Sequence, residues 1–384
     1  MINYGKQSID GKDIKAITDT LNSDWLTQGP KVEEFEHALA EYCGSKYAVA
    51  VCNGTAALHL ANLTIGTDTT TNVMTTPITF LASANSIIYA GGHPVFCDIN
   101  DGLFTLDTEK VKKLAERDIG FKGIIPVHLG GVVCDMESIK NIADENNLWI
   151  IEDACHALGG EWIDKKGNAQ KVGNSSHSDM TIFSFHPVKQ ITTGEGGAIT
   201  TNNKDIYEKL LTLRNHGMTK KPQELKENHG GWYYEMQELG FNYRMTDIQA
   251  ALGIEQLKKN DVWVVRRREL VQQYDDSFKG LERITPQKHP DIGGGYSYHL
   301  YIIQCEKRDD LYQYLKDNGV NTQVHYIPVH LQPFYKNKYG YERGDYPVAE
   351  KYYDGALSLP LYPTLKGYEQ EKVISLVKKF YEKN

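Results

Sequence analysis

The stretch Asn147-Leu-Trp-Ile-Ile-Glu-Asp153 constrains the fold of this chain more than any other, because four successive apolar residues stop abruptly at two carboxylates. An amphipathic helix would break such a run at a 3.6-residue period, and a half-exposed strand would alternate. A run apolar at every position reads as a strand buried on both faces, as in a parallel sheet. Similar short runs recur at 47–52, 71–76, 94–98, 122–128, 180–185 and 197–201, separated by amphipathic stretches. This βαβ pattern predicts an α/β fold, a mainly parallel seven-stranded sheet flanked by helices. Open sheets of that kind bind ligands at the carboxyl ends of their strands, which is where Asp153 falls.

Past Arg244 the pattern changes. Residues 245–259 and 263–278 read as two long helices, the second carrying Arg266-Arg-Arg268 on what is expected to be a solvated face. Further on, 301–305 and 322–326 read as strands, and 309–318 and 346–357 as helices, which predicts a smaller C-terminal α+β domain. A chain of 384 residues exceeds one average domain. The expected division is 1–255 for an N-terminal arm with the large domain and 256–384 for the small one. Without repeats or a Pro/Ser-rich linker, the two parts are expected to pack closely.

Three segments carry chemistry. In Thr181-Ile-Phe-Ser-Phe-His-Pro-Val-Lys-Gln-Ile-Thr-Thr-Gly-Glu-Gly-Gly197 a strand delivers Lys189 into a glycine-lined loop. That placement suits Schiff-base chemistry, although a loop lysine is most often plain surface charge. Asp153 suits a carboxylate that keeps the ring nitrogen of pyridoxal phosphate protonated, so that the ring acts as an electron sink; the alternative is a cap on a following helix. The strand-like Tyr47–Cys52 run leads through Asn53 into Gly54-Thr-Ala-Ala-Leu-His-Leu-Ala, so Gly54 and Thr55 sit at a helix N-terminus, where amides and the helix dipole attract a phosphate. Neither GxGxxG nor GxxxxGK[ST] occurs, so dinucleotide and P-loop readings lack their fingerprints.

Phosphate turn, acid and lysine in this order resemble a fold-type I pyridoxal phosphate enzyme. Asn53-Gly-Thr-Ala-Ala-Leu58, Thr76-Pro-Ile-Thr-Phe80, Pro126-Val-His-Leu129, Glu152-Asp-Ala-Cys-His-Ala-Leu-Gly159, Ser184-Phe-His-Pro-Val-Lys189, Thr193-Gly-Glu-Gly-Gly197 and Gly240-Phe-Asn-Tyr-Arg244 together resemble the DegT/DnrJ/EryC1/StrS family of sugar-nucleotide aminotransferases, over nearly the whole chain. The resemblance implies that Lys189 and Asp153 are the catalytic pair and that Phe80 lies over the cofactor ring, against an ordinary core phenylalanine as the alternative. It implies further that Ser184 meets the phosphate and that His156, where many relatives have glutamine, faces the phenolic oxygen. Asn242 is expected to cross to the neighbouring subunit's cofactor phosphate, which makes a homodimer with shared active sites. Arg244 suits an anionic substrate group, since guanidinium donors fit phosphate oxygens in pairs. Thr27, His325 and Tyr326 are expected at the substrate, with His330 beside them; for the two histidines a purely structural role is the alternative.

The expected reaction transfers an amino group from L-glutamate to C4 of a UDP-linked 4-keto-6-deoxy sugar, most closely UDP-2-acetamido-2,6-dideoxy-β-L-arabino-hexos-4-ulose of pseudaminic acid synthesis. Alternatives are the α-D-xylo keto sugar, a 3-aminotransferase, or a noncatalytic sugar-nucleotide sensor. Dehydratases of the family carry histidine in place of the lysine, against which Lys189 counts. A net charge of −8 argues against a nucleic-acid partner, and no run reaches the roughly 18 apolar residues that span a bilayer, so a cytoplasmic protein is expected. The six cysteines are scattered without a CxxC pair, which predicts reduced thiols and no metal site.

Overall fold

The computed structural model describes residues 1–117, 120–289 and 295–383. Its central sheet is built from β1 (Tyr47–Val51), β2 (Asn72–Thr75), β3 (His93–Phe96), β4 (Phe121–Ile125), β5 (Trp149–Asp153), β6 (Met180–Ser184) and β7 (Gly197–Thr201). The strand order is β1-β7-β6-β5-β4-β2-β3. Strand β7 runs antiparallel to both of its neighbours, and the remaining pairs are parallel. The seven apolar runs therefore form the seven strands, with ends differing by a few residues.

Side chains on both faces of the sheet are buried, as the continuous apolar runs require. Phe35, Ala50, Met74, Ile124, Ile150 and Phe183 belong to one core, and Val49, Leu58, Val73, Ile125, Ile151 and Ile182 to another. Helices α1 (Gly11–Leu21) and α2 (Pro30–Cys43) precede the sheet, and α3 (Gly54–Thr64) and α4 (Leu81–Tyr89) follow β1 and β2. Asp10 and Asp13 close a capping box on α1, whereas Pro30 opens α2 with its φ already helical.

Two helices lead out of this unit: α5 (Asp247–Leu257), capped by Thr246 with Gln249, and α6 (Asn260–Phe278). Beyond them lies an antiparallel sheet of β8 (Ile284–Pro286), β9 (Tyr301–Cys305) and β10 (Ala356–Leu359). Leu270, Tyr274 and Phe278 of α6 share a core with Ile303, Leu315, Val377 and Phe380. Ile2 joins that core too, pinned by Ile2 N–H to Gly319 O at 2.9 Å and Asn321 N–H to Ile2 O at 2.8 Å.

Two expectations for this part need correction. Residues 322–326 do not form a strand; Gln323 makes one isolated bridge to Ser358, and the segment continues along the cleft described below. The helix expected over 346–357 ends at Gly355, after which Ala356 and Leu357 start β10. Alanine and leucine favour helix intrinsically, but pairing with β9 and complete burial of all four β10 residues outweigh a propensity of a few tenths of a kcal/mol per residue. All six cysteines are free thiols. Among the described residues no helix is long and apolar enough to cross a membrane.

Candidate active site

The carboxyl ends of β1, β5 and β6 open onto a cleft of about 890 Å³, roofed by residues 323–327 and by Tyr4 of the N-terminal arm. Its floor begins at the turn from β1 into α3. Asn53 caps this helix by accepting the Ala56 amide on Oδ1 at 2.8 Å. Helix geometry leaves the first-turn amides of Gly54 and Thr55 without an intrahelical partner, at the positive end of the dipole. Glycine is required at 197 and favoured at 54. A Cβ on Gly54 would lie 3.0 Å from the Ser184 Cβ, and one on Gly197 would lie 2.5 Å from the Asn53 carbonyl carbon. The two glycines bring the helix start against β7 and leave a concavity bordered by the Ser184 hydroxyl, a cradle shaped for an oxyanion.

Asp153 closes β5 and is buried, accepting from Ser83 Oγ at 2.6 Å and from the Cys155 amide at 3.2 Å. Residues 154–160 form turns, so Asp153 caps no helix. Ser83 in turn shares a 2.6 Å hydrogen bond with Thr79, which locks the carboxylate's rotamer from α4. Nothing in a serine inside an apolar helix signalled that role.

Lys189 reaches the cleft from a loop tied back to its strand. Phe185 N–H donates to Gly196 O at 2.8 Å, Thr193 N–H to Phe185 O at 3.0 Å, and Lys189 N–H to His186 O at 2.9 Å. Burial lowers the pKa of the Lys189 ammonium below the ordinary lysine value, against the opposing pull of Cys155 and Asp153. This amine is a lining group of the cleft and not surface charge.

His156 hangs over the same space. Its Nδ1 accepts the Gly130 amide at 3.2 Å and its Nε2 lies 3.1 Å from the Tyr326 hydroxyl. Burial, with Lys189 adding in the same direction, holds its pKa well below the usual histidine range, so the ring is neutral. Phe80 is 58% exposed although it is a large apolar residue, and its ring lines the cleft 6.1 Å from that of Tyr326. An ordinary core phenylalanine would not be so placed.

The remaining candidates divide. His325 and Tyr326 line the cleft. His325 is buried, bonded through Nδ1 to Ser358 Oγ at 2.9 Å, and burial pushes its pKa down to about 3. His330 does not reach the cleft; its Nε2 meets Glu350 at 3.0 Å within an aromatic cluster, which makes it a structural histidine. Asn242, Arg244 and Thr27 are likewise absent from the lining. Arg244 donates from Nη1 to Asn215 Oδ1 at 2.6 Å, Asn242 pairs its backbone with Asn215, and Thr27 bridges to Thr246. Asn242 and Thr27 are solvent-exposed. Tyr4, Ser83 and the Gly130 amide were missed by sequence reasoning, because each arrives from a segment distant in the chain.

A buried amine of lowered pKa, a fixed carboxylate at a strand end and an oxyanion cradle on one αβ turn define a pyridoxal phosphate site in an α/β enzyme. Residues 7–378 match the DegT/DnrJ/EryC1/StrS aminotransferase family, and the chain belongs to it. It is a pyridoxal phosphate-dependent sugar aminotransferase. Over 370 residues, 94% of this chain and 93% of the relative, it is 41% identical to the UDP-4-amino-4,6-dideoxy-N-acetyl-β-L-altrosamine transaminase of Campylobacter jejuni serotype O:23/36. It is 34% identical to the GDP-perosamine synthase of Caulobacter vibrioides, covering 97% of this chain and 96% of that one. The structure of Helicobacter pylori PseC, an aminotransferase involved in the biosynthesis of pseudoaminic acid, superposes with a TM-score of 0.90 over 100% of both chains at 32% identity.

Proposed function

We propose that this enzyme transfers the amino group of L-glutamate to C4 of UDP-2-acetamido-2,6-dideoxy-β-L-arabino-hexos-4-ulose, giving UDP-4-amino-4,6-dideoxy-N-acetyl-β-L-altrosamine for pseudaminic acid synthesis in the cytoplasm. The observation that carries the chemistry is the convergence of Lys189, Asp153 and the α3 amides on one cleft. Likeness to the Campylobacter and Helicobacter enzymes supports the choice of sugar.

Bound pyridoxal phosphate supplies an electron sink that makes the α-hydrogen of an amino acid removable. The chain does the rest. The amides of Gly54 and Thr55 and the Ser184 hydroxyl hold the phosphate, Asp153 holds a proton on the ring nitrogen, and Phe80 covers one ring face. Lys189 Nζ would be the attachment point and, as a free amine, would take the proton from the α-carbon of glutamate. In the second half it delivers a proton at C4 of the sugar. Its lowered pKa matters here, because only the neutral amine accepts a proton.

The lining includes a single lysine and no arginine among the described residues. A nucleotide diphosphate needs more cationic donors than that. Arg244, outside its own cleft, supplies a cation to the anionic substrate in the cleft of a second copy, and Asn242 reaches that copy's cofactor phosphate, so that the working unit is a homodimer with shared sites. Within each subunit, residues 1–255 form the N-terminal arm and the cofactor-binding domain, and 256–384 the small C-terminal domain packed against it.

A direct test gives the loaded enzyme L-glutamate with the β-L-arabino keto sugar or with its α-D-xylo epimer, and reads the product by NMR. Preferential turnover of the β-L sugar supports the proposal. Preference for the α-D sugar would move the enzyme to a different 4-amino product, and a product aminated at C3 would overturn the regiochemistry.

A further inference from the structure

His156 is fixed so that its side chain has one direction left to serve. Its carbonyl accepts from Gln190 Nε2 and from Ser297 Oγ, the latter at 3.0 Å. Its Nδ1 accepts the Gly130 amide at 3.2 Å. That amide is itself fixed: Gly130 has φ 69°, a region glycine favours, and a Cβ there would meet Gln287 Oε1 at 2.8 Å. A neutral imidazole whose Nδ1 accepts carries its proton on Nε2. Nε2–H then donates to Tyr326 Oη, 3.1 Å away. No second hydrogen-bond partner for that hydroxyl occurs among the described residues, and Tyr326 lines the cleft, so its own O–H is free to point inward.

We propose that Tyr326, oriented by the Gly130–His156 relay, donates its phenolic proton to an electron-rich oxygen of the ligand held in this cleft. Two oxygens fit that chemistry: the ring oxygen of pyridoxal phosphate and the carbonyl oxygen of the keto sugar. The inference rests on the cofactor reading above but not on the identity of the sugar nucleotide. A tyrosine suits the task because burial, followed by the negative charge of Asp153, raises its pKa well above the usual phenol value, so it keeps the proton it presents. Other titratable groups on the same space are Lys189, Tyr4, Cys155, His186, Glu195, Tyr243, His299 and His325.

Tyr326→Phe removes the hydroxyl and keeps the ring. Two readouts on the cofactor-loaded variant separate the sources. The first is the pH midpoint of the visible absorbance, taken without substrate. Loss of the proton shared between the Lys189 nitrogen and the ring oxygen leaves that oxygen an uncompensated anion, which a donor stabilises, so removing the donor raises the midpoint. A hydrogen bond to a charged group contributes about 1.5–3 kcal/mol, so the expected rise is about one pH unit or more if the ring oxygen is the acceptor. The second readout is single-turnover rates of the two half-reactions. If the sugar carbonyl is the acceptor, the midpoint stays and the keto-sugar half slows about tenfold while the glutamate half changes less than about twofold.

An unmoved midpoint with both half-reactions unchanged, or slowed equally, would overturn the assignment, since equal slowing is the mark of a packing role. His156→Leu tests the relay: its effect in the affected readout should have the same sign and be non-additive with that of Tyr326→Phe. Additive effects would show that the two residues act independently. The absorbance titration needs no sugar, so it still reports on Tyr326 if the proposed keto sugar proves wrong.

Discussion

The cleft wall and the strip around Asn242 hold candidate residues in opposite ways. At the wall, Gly54, Thr55, Asp153, Ser184 and Lys189 come from three strand ends and meet inside one chain, each fixed by backbone or buried hydrogen bonds. On the strip, Asn242 and Arg244 are tied to Asn215, Thr27 is tied to Thr246, and none of the three faces its own cleft. On the proposed reading, proton transfer falls to rigid intrachain parts, which suits a step where a misplacement of about 1 Å costs about a hundredfold in rate. Recognition of the anionic substrate, on the same reading, falls to side chains that would gain their target only in a second copy's cleft.

The contrast can be broken most decisively at Lys189. Lys189→Ala should lower transfer at least about a thousandfold with the circular dichroism and melting profile retained, since the amine contributes chemistry and little packing. Transfer at the wild-type rate would remove the wall from the mechanism. Asp153→Asn is expected to keep bound cofactor and lose about a hundredfold in rate, through loss of the charged ring nitrogen. Unaltered turnover would reduce Asp153 to an anchor for Ser83.

The strip is tested by mixing. Lys189→Ala and Arg244→Ala homodimers should each be impaired, yet their co-refolded mixture should regain about a quarter of wild-type activity, because half the dimers are mixed and each carries one intact shared site. If Arg244 serves its own cleft, the mixture regains nothing.

A smaller effect sharpens the view of the wall as pre-formed. His325, with its pKa pushed down to about 3, is buried neutral, whereas an unfolded histidine titrates near 6.5. Its contribution to stability is present above pH 6.5 and is lost as pH falls toward 3, amounting to about 2 kcal/mol by pH 5. His156 and His299, both held well below the usual range by burial, act in the same direction. Denaturant midpoints should therefore fall between pH 7 and 5, and His325→Gln should flatten that fall. The smallest expected change is Ser184→Ala, about tenfold weaker cofactor binding for one lost phosphate hydrogen bond; unchanged affinity would assign the cradle to the α3 amides alone.

The seven strands were legible because burial on both faces leaves an uninterrupted apolar signature, and Asp153 because a carboxylate at the end of such a run has nowhere else to sit. Ser83, Tyr4 and the Gly130 amide were illegible: they act across long stretches of chain, and nothing in their local sequence departs from ordinary helix, arm or loop. The same cause produced the two errors in the C-terminal part. Residues 322–326 read as a strand, but their pairing stops at one bridge to Ser358 before the segment lines the cleft, and 346–357 are composed as a helix, but pairing with β9 takes its last two residues into β10. His330 takes the structural alternative, held by Glu350, a partner its local sequence does not reveal.

The central claim, that Lys189 in this cleft is the attachment point for pyridoxal phosphate, is tested most directly by borohydride reduction of the loaded wild-type enzyme followed by proteolysis and mass spectrometry. The account predicts loss of the absorbance near 400 nm and a single pyridoxyl-phosphate addition on the peptide containing Lys189. An adduct on any other lysine, or reduction that leaves Lys189 unmodified in an active enzyme, would contradict it.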